Sequence, residues 1–87
     1  MIYSGQVAVA AAGTAQQVGT DEGERLYYFR ADPDNTGSIA IGGSDVSMTN
    51  GLILDEADPP VMVMCQLSEL YVDADTNDDV LCWFKVV

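Results

Sequence analysis

Residues 37–60 read GSIAIGGSDVSMTNGLILDEADPP, and the reading of this stretch decides the fold. A short alternating run carries Ile39 and Ile41 and breaks at Gly42-Gly43. After the polar Ser44-Asp45 step the chain resumes at Val46-Ser47-Met48, turns at Asn50-Gly51 and enters the apolar run Leu52-Ile53-Leu54. Asn-Gly between apolar runs predicts a type I′ hairpin turn, because both residues accept positive φ. Gly42 and Gly43 mark places where the backbone bends or meets another chain closely. Pro59-Pro60 closes the acidic segment that follows. Two strands joined by an excursion are expected here, with no helix.

The same pattern runs outward in both directions. Before the stretch, Ile2–Ala11 alternates, with Tyr3, Val7, Val9 and Ala11 on one side and Ser4, Gln6 and Ala8 on the other. Residues 15–18 form a short return strand, and residues 19–23 (GTDEG) a loop. Glu24–Ala31 is rich in strand formers, Leu26, Tyr28 and Arg30 sharing one side and Tyr27 and Phe29 the other. After the stretch, Val61–Leu67 (VMVMCQL) and Val80–Val87 (VLCWFKVV) are apolar on both sides, as strands buried on both faces are. Leu70-Tyr71-Val72 is a further strand, and Asp73–Asp79 an exposed acidic turn. The chain, residues 1–87, is expected to be one all-β domain, a small antiparallel β-sandwich (jelly-roll-like) or barrel of about seven to nine short strands.

A sandwich needs only one apolar face per strand. The surplus face of Val61–Leu67 and Val80–Val87 therefore calls for a cover, and in so small a domain another subunit supplies it. Met62, Met64, Trp83 and Val87 are the candidates, with Gly42 and Gly43 as a further place of close approach by a neighbouring chain.

Composition narrows the function classes. Of the 87 residues 48% are hydrophobic and 20% charged, too apolar a balance for disorder. Three basic residues stand against 14 acidic ones, for a net charge of −11. That balance argues against nucleic acid, which needs clustered Lys and Arg, and equally against an anionic membrane surface. No stretch approaches a membrane span, and Met1–Gly13 lacks the basic start of a signal peptide. Synthesis and folding in a cytoplasm are expected.

Histidine is absent, which removes the commonest general base and metal ligand. Asp32-Pro33-Asp34-Asn35-Thr36-Gly37 matches the first half of a calcium loop, but Gly43 falls where a bidentate Glu is required. Asp73, Asp75, Asn77 and Asp79 also alternate, with Asp78 in the glycine position. Two solvated turns are the plainer reading. Cys65 and Cys82 read as buried small hydrophobes on internal strands, with a disulfide between cross-strand neighbours as the alternative. The carboxylates cluster in turns and not along a cleft, so a hydrolase is the weakest reading. Tyr27, Tyr28, Tyr71 and Trp83 are packing residues first, and a carbohydrate-stacking patch second. No cofactor is implied.

The string Ile39-Ala40-Ile41-Gly42-Gly43-Ser44-Asp45-Val46, then Thr49-Asn50-Gly51 and Leu52-Ile53-Leu54, then Leu67-Ser68-Glu69-Leu70-Tyr71-Val72, resembles a family of small virion proteins of tailed bacteriophages. The match covers about residues 24–87 in the same order, departing where Ala57-Asp58-Pro59-Pro60 replaces the family's Pro-Gly. The resemblance implies a β-sandwich virion component without enzymatic activity. Its most direct form is a capsid decoration (cement) protein on the outer surface of an icosahedral head. The expected partners are then the major capsid protein and further copies of the chain, a trimer being favoured. A tail or fibre module binding a host-surface glycan is the alternative.

Overall fold

The computed structural model describes residues 1–86, so the interface candidate Val87 lies outside the described residues. Eight strands follow in order: β1 (Ile2–Ala8), β2 (Gln16–Gln17), β3 (Arg25–Ala31), β4 (Ile39–Gly42), β5 (Leu52–Leu54), β6 (Val61–Cys65), β7 (Tyr71–Ala74) and β8 (Val80–Val86). A single 3-10 turn, Leu67–Glu69, fills the break before β7. No α-helix occurs among the described residues.

The topology is that of one long hairpin rolled up. Its tip is β4 paired with β5, through Ile39 opposite Leu54 and Ile41 opposite Leu52. Moving away from the tip, β3 pairs with β6, β2 with β7 and β1 with β8, all antiparallel. Rolling then lays β8 against β3 and β7 against β4. The result is two four-stranded sheets, ordered β1-β8-β3-β6 and β2-β7-β4-β5, a small β-sandwich with the pairing of a jelly roll.

Strand alternation fills the space between the sheets. From the first sheet Val7, Tyr27, Phe29, Ala31 and Leu81 point inward; from the second, Ile39, Ile41, Leu54, Val72 and Ala74 do so. Tyr27 and Phe29 are wholly buried, with ring centroids 5.7 Å apart. The Trp83 indole meets Tyr27 edge-on at 5.5 Å. Each such buried side chain contributes about 1.5–3 kcal/mol.

Three expectations are corrected. β6 is not internal: it is the edge of its sheet, with β3 on one side only, so Met62 and Met64 are exposed. The acidic segment 73–79 is not all turn, since Asp73 and Ala74 belong to β7 and are buried. The excursion from β4 to β5 does not turn on Asn50-Gly51. Ser47 and Asn50 exchange both backbone hydrogen bonds at 3.2 Å, which places Met48-Thr49 at the bend. Of Asn50 and Gly51 only Gly51 takes positive φ, +137°. The physical reason is Val46, which is buried and tucks against Gly42 and Gly51, so the loop folds back over its own sheet.

Candidate functional site

The first sheet has an outer face that nothing in the described chain covers. Strand register arranges it in rows. Ile2 lies opposite Val86, and Leu26 opposite Met64. In the next row Ser4 lies opposite Phe84, and Tyr28 lies between Phe84 and Met62. Ile2, Met62, Met64 and Val86 are 67%, 63%, 60% and 56% exposed, values that belong to side chains standing in solvent. Leu26 and Phe84 are exposed as well. Tyr28 and Phe84 stack in parallel at 4.7 Å, which fixes an aromatic centre on β3 and β8 beside the two methionines of β6. Contiguous apolar area of this kind is the feature that interaction surfaces present.

Charge is almost absent from this face. Alternation places Arg30 on it, beside Cys82 in the third row, and no other charged side chain. None of the 14 acidic residues lies on β1, β3, β6 or β8, whereas Arg25, Arg30 and Lys85 all do. Apart from Asp73 on β7 of the second sheet, the acids sit in the segments that join the strands. Exposed Asp21, Glu22, Glu24 and Glu69 lie at the end where β3 begins. Exposed Asp34, Asp55, Glu56, Asp58 and Asp78 lie at the opposite end, where β3 finishes and β6 and β8 begin.

The sequence-level interface candidates are therefore divided. Met62 and Met64 are on the exposed face. Trp83 is on the inner side of β8 and packs on the core, so its place among the covering residues is taken by Phe84 and Val86. Gly42 and Gly43 belong to the second sheet and its loop: Gly42 is occupied by its own chain's Val46, and Gly43 is exposed. Ile2 and Leu26 were missed, because each sits in a strand whose partner across the sheet is distant in sequence. Of the aromatic set, Tyr27 is wholly buried, Trp83 packs on the core and Tyr71 lies on β7 of the second sheet, which leaves Tyr28 on the outer face.

The two acidic loops are not simple solvated turns. Asp79, 5% exposed, accepts the backbone N–H groups of Thr36 at 3.0 Å and Gly37 at 2.8 Å. Asp73, 1% exposed, accepts those of Gly13 at 2.9 Å and Ala74 at 2.8 Å. Asn35 pairs with both backbone groups of Val80, at 2.7 and 2.9 Å. Asp75 accepts the Ser38 N–H, and Asn77 that of Ala12. These side chains stitch three loops together by satisfying backbone donors that no strand partner takes. Among the described residues no three Asp, Glu or Cys side chains gather as a metal site.

Cys65 and Cys82 are not neighbours either. β3 separates their strands, and alternation points Cys65 inward and Cys82 outward. Burial raises both thiol pKa values. Glu24 and Glu69 add to the rise at Cys65; at Cys82 Asp32 adds to it and Arg30 opposes it.

Compared with known families, curated proteins and solved structures, the chain finds no match, so the site is read from its own geometry. A jelly roll by itself names no activity.

Proposed function

We propose that this chain is a structural binding module that seats the outer face of its first sheet on a larger protein assembly. The specific form is a decoration protein on the outer surface of a tailed-bacteriophage head, with the major capsid protein as partner. The observation that carries the reading is the exposed apolar face of Ile2, Leu26, Met62, Met64, Phe84 and Val86. Docking would bury that face, add apolar contact to neighbouring capsomers, and leave the second sheet outward.

The test is binding of the purified protein to phage heads that lack it, followed by counting of copies. Saturation at hundreds of copies per head is expected. Met62→Glu with Met64→Glu should abolish binding while the circular dichroism spectrum and melting transition stay two-state. A handful of copies confined to the tail would transfer the protein to the second reading, a glycan-binding tail module. The stacked, solvent-facing Tyr28–Phe84 pair is the observation that favours that alternative.

A further inference from the structure

We infer that the occupant of the apolar face is a complementary apolar patch rimmed by Lys and Arg on a different protein, and not a second copy of this chain. The inference rests on the reading that this face docks, and it specifies the chemistry of what it meets.

The first argument is charge. The face is bounded at both strand ends by exposed carboxylates, Glu22, Glu24 and Glu69 at one, where Asp21 is paired with Lys85, and Asp34, Asp55, Glu56, Asp58 and Asp78 at the other. A second copy laid face to face would bring an equal acidic border against this one, each chain carrying −11. Acids that border a shared contact lie within a Debye length of about 8 Å in physiological salt, so their repulsion is felt. The same border opposite Lys and Arg is attractive, and steers the approach.

The second argument is area. Four strands about 4.8 Å apart and about 23 Å long span a patch of roughly 450 Å². A stable independent interface buries about 800 Å² on each partner. As a flat footprint the patch is at the small end for such an interface, so a homodimer would draw the acidic border into its contact, where like charges meet. A basic-rimmed partner completes it with the border as a source of attraction. Arg30, the one charged side chain on the face, stands at its acidic edge, with Asp32 following at the end of the same strand.

The two occupants respond oppositely to salt. Screening weakens an acid-to-base border and relieves an acid-to-acid one. The experiment measures sedimentation of the free protein and its binding to phage heads that lack it, each from 50 to 500 mM NaCl. A protein monomeric throughout is expected, with binding to heads that weakens about tenfold over that range. Glu22→Gln with Glu24→Gln should reduce both the affinity and its salt dependence, and these exposed loop positions leave the fold intact. Head binding that holds or strengthens with salt overturns the basic rim while the decoration reading stands. Self-association that grows with salt and is lost in Met62→Glu overturns the inference in favour of a second copy. No binding to heads at any salt removes the decoration reading and the inference together.

Discussion

The indole of Trp83 lies across Gly5, its cross-strand partner, so closely that a β-carbon at Gly5 would sit 2.6 Å from Cζ2. β1 is the outermost strand of its sheet, and this glycine is what lets β8 place its largest side chain over it. The indole in turn shields backbone that a glycine leaves bare. Gly5→Ala is expected to push Trp83 off Tyr27 and cost about 1–3 kcal/mol. Urea unfolding followed by tryptophan fluorescence checks this, through a lower midpoint and a changed native emission spectrum. Unaltered stability would show that the indole has room to move.

At the tip of the rolled hairpin, Gly51 and Gly43 make a matched comparison. Gly51 has φ +137°, and a β-carbon there would lie 2.7 Å from Val46 Cγ2 and 3.0 Å from the Ile41 carbonyl oxygen. At Gly43 the nearest atom is Asp45 Oδ1 at 3.6 Å, an ordinary contact. Gly51→Ala should therefore cost about 1–3 kcal/mol through strain and overpacking. Gly43→Ala should stay within about 0.5 kcal/mol of the parent. Equal melting temperatures for the two variants would contradict the packing of Val46 against Gly51.

Asp79 uses both carboxylate oxygens on backbone donors, Oδ1 for Thr36 and Oδ2 for Gly37. Asp79→Asn keeps the shape but turns an NH₂ group toward one of those N–H groups. Two donors then face each other in a buried place, at a cost of about 1–3 kcal/mol. Asp34→Asn, at an exposed position of the facing loop, is the control and should change little. Chemical denaturation of the two variants side by side distinguishes a stitched junction from a solvated turn.

Most of the strand content was legible in the sequence because alternation is local. That Tyr27 and Phe29 share one side and Leu26 and Tyr28 the other follows from period two alone, and the structure turns the first pair inward. What local pattern does not carry is the strand order. β6 and β8 are both apolar on both sides, yet β8 is flanked by β1 and β3 while β6 is an edge. Both sides of each were visibly apolar, but the sequence pattern put Trp83 on the outer side of β8, where Phe84 and Val86 stand. That Ile2 and Leu26 join the same patch depends on β1 reaching β8 and β3 reaching β6 across most of the chain. The acidic loops misled for a related reason. Asp in a turn normally bonds to its own neighbourhood, whereas Asp79 and Asp73 reach donors 42 and 60 residues away.

Sheet order also fixes the redox behaviour. Strands two places apart lie about 9.6 Å from each other, beyond the roughly 7 Å that a disulfide spans. Oxidation should leave Cys65 and Cys82 without an intrachain bond, and non-reducing electrophoresis should show an unshifted monomer. Because burial and nearby carboxylates raise both thiols, alkylation by iodoacetamide at pH 8 should be slower than that of a small free thiol. Asp32→Asn removes a carboxylate that accepts from the Cys82 thiol at 3.8 Å. It should speed the reaction of Cys82 and leave Cys65 unchanged; equal acceleration at both would show loosening of the fold instead.

The last prediction concerns Lys85, which ties the loop between β2 and β3 to the end of β8. Its ammonium donates to Asp21 Oδ2 at 2.8 Å and lies 5.4 Å from the ring centroid of Tyr3. The hydrogen bond to Asp21 is the main cause that raises its pKa above the ordinary lysine value, against a smaller opposing effect of burial. A raised pKa in the folded state means that folding favours the protonated lysine. The contribution is therefore whole below the unfolded value of about 10.4 and is lost as pH rises through the folded one. It is small, because Asp21 is half exposed and solvent and salt screen the pair. Asp21→Asn should bring the Lys85 titration midpoint down toward the unfolded value, read from its side-chain carbon shift by NMR. The stability difference between parent and Asp21→Asn should be constant from pH 7 to 9 and shrink above about pH 10.4. A difference that persists undiminished at pH 12 would show that Asp21 acts through its loop backbone and not through the lysine.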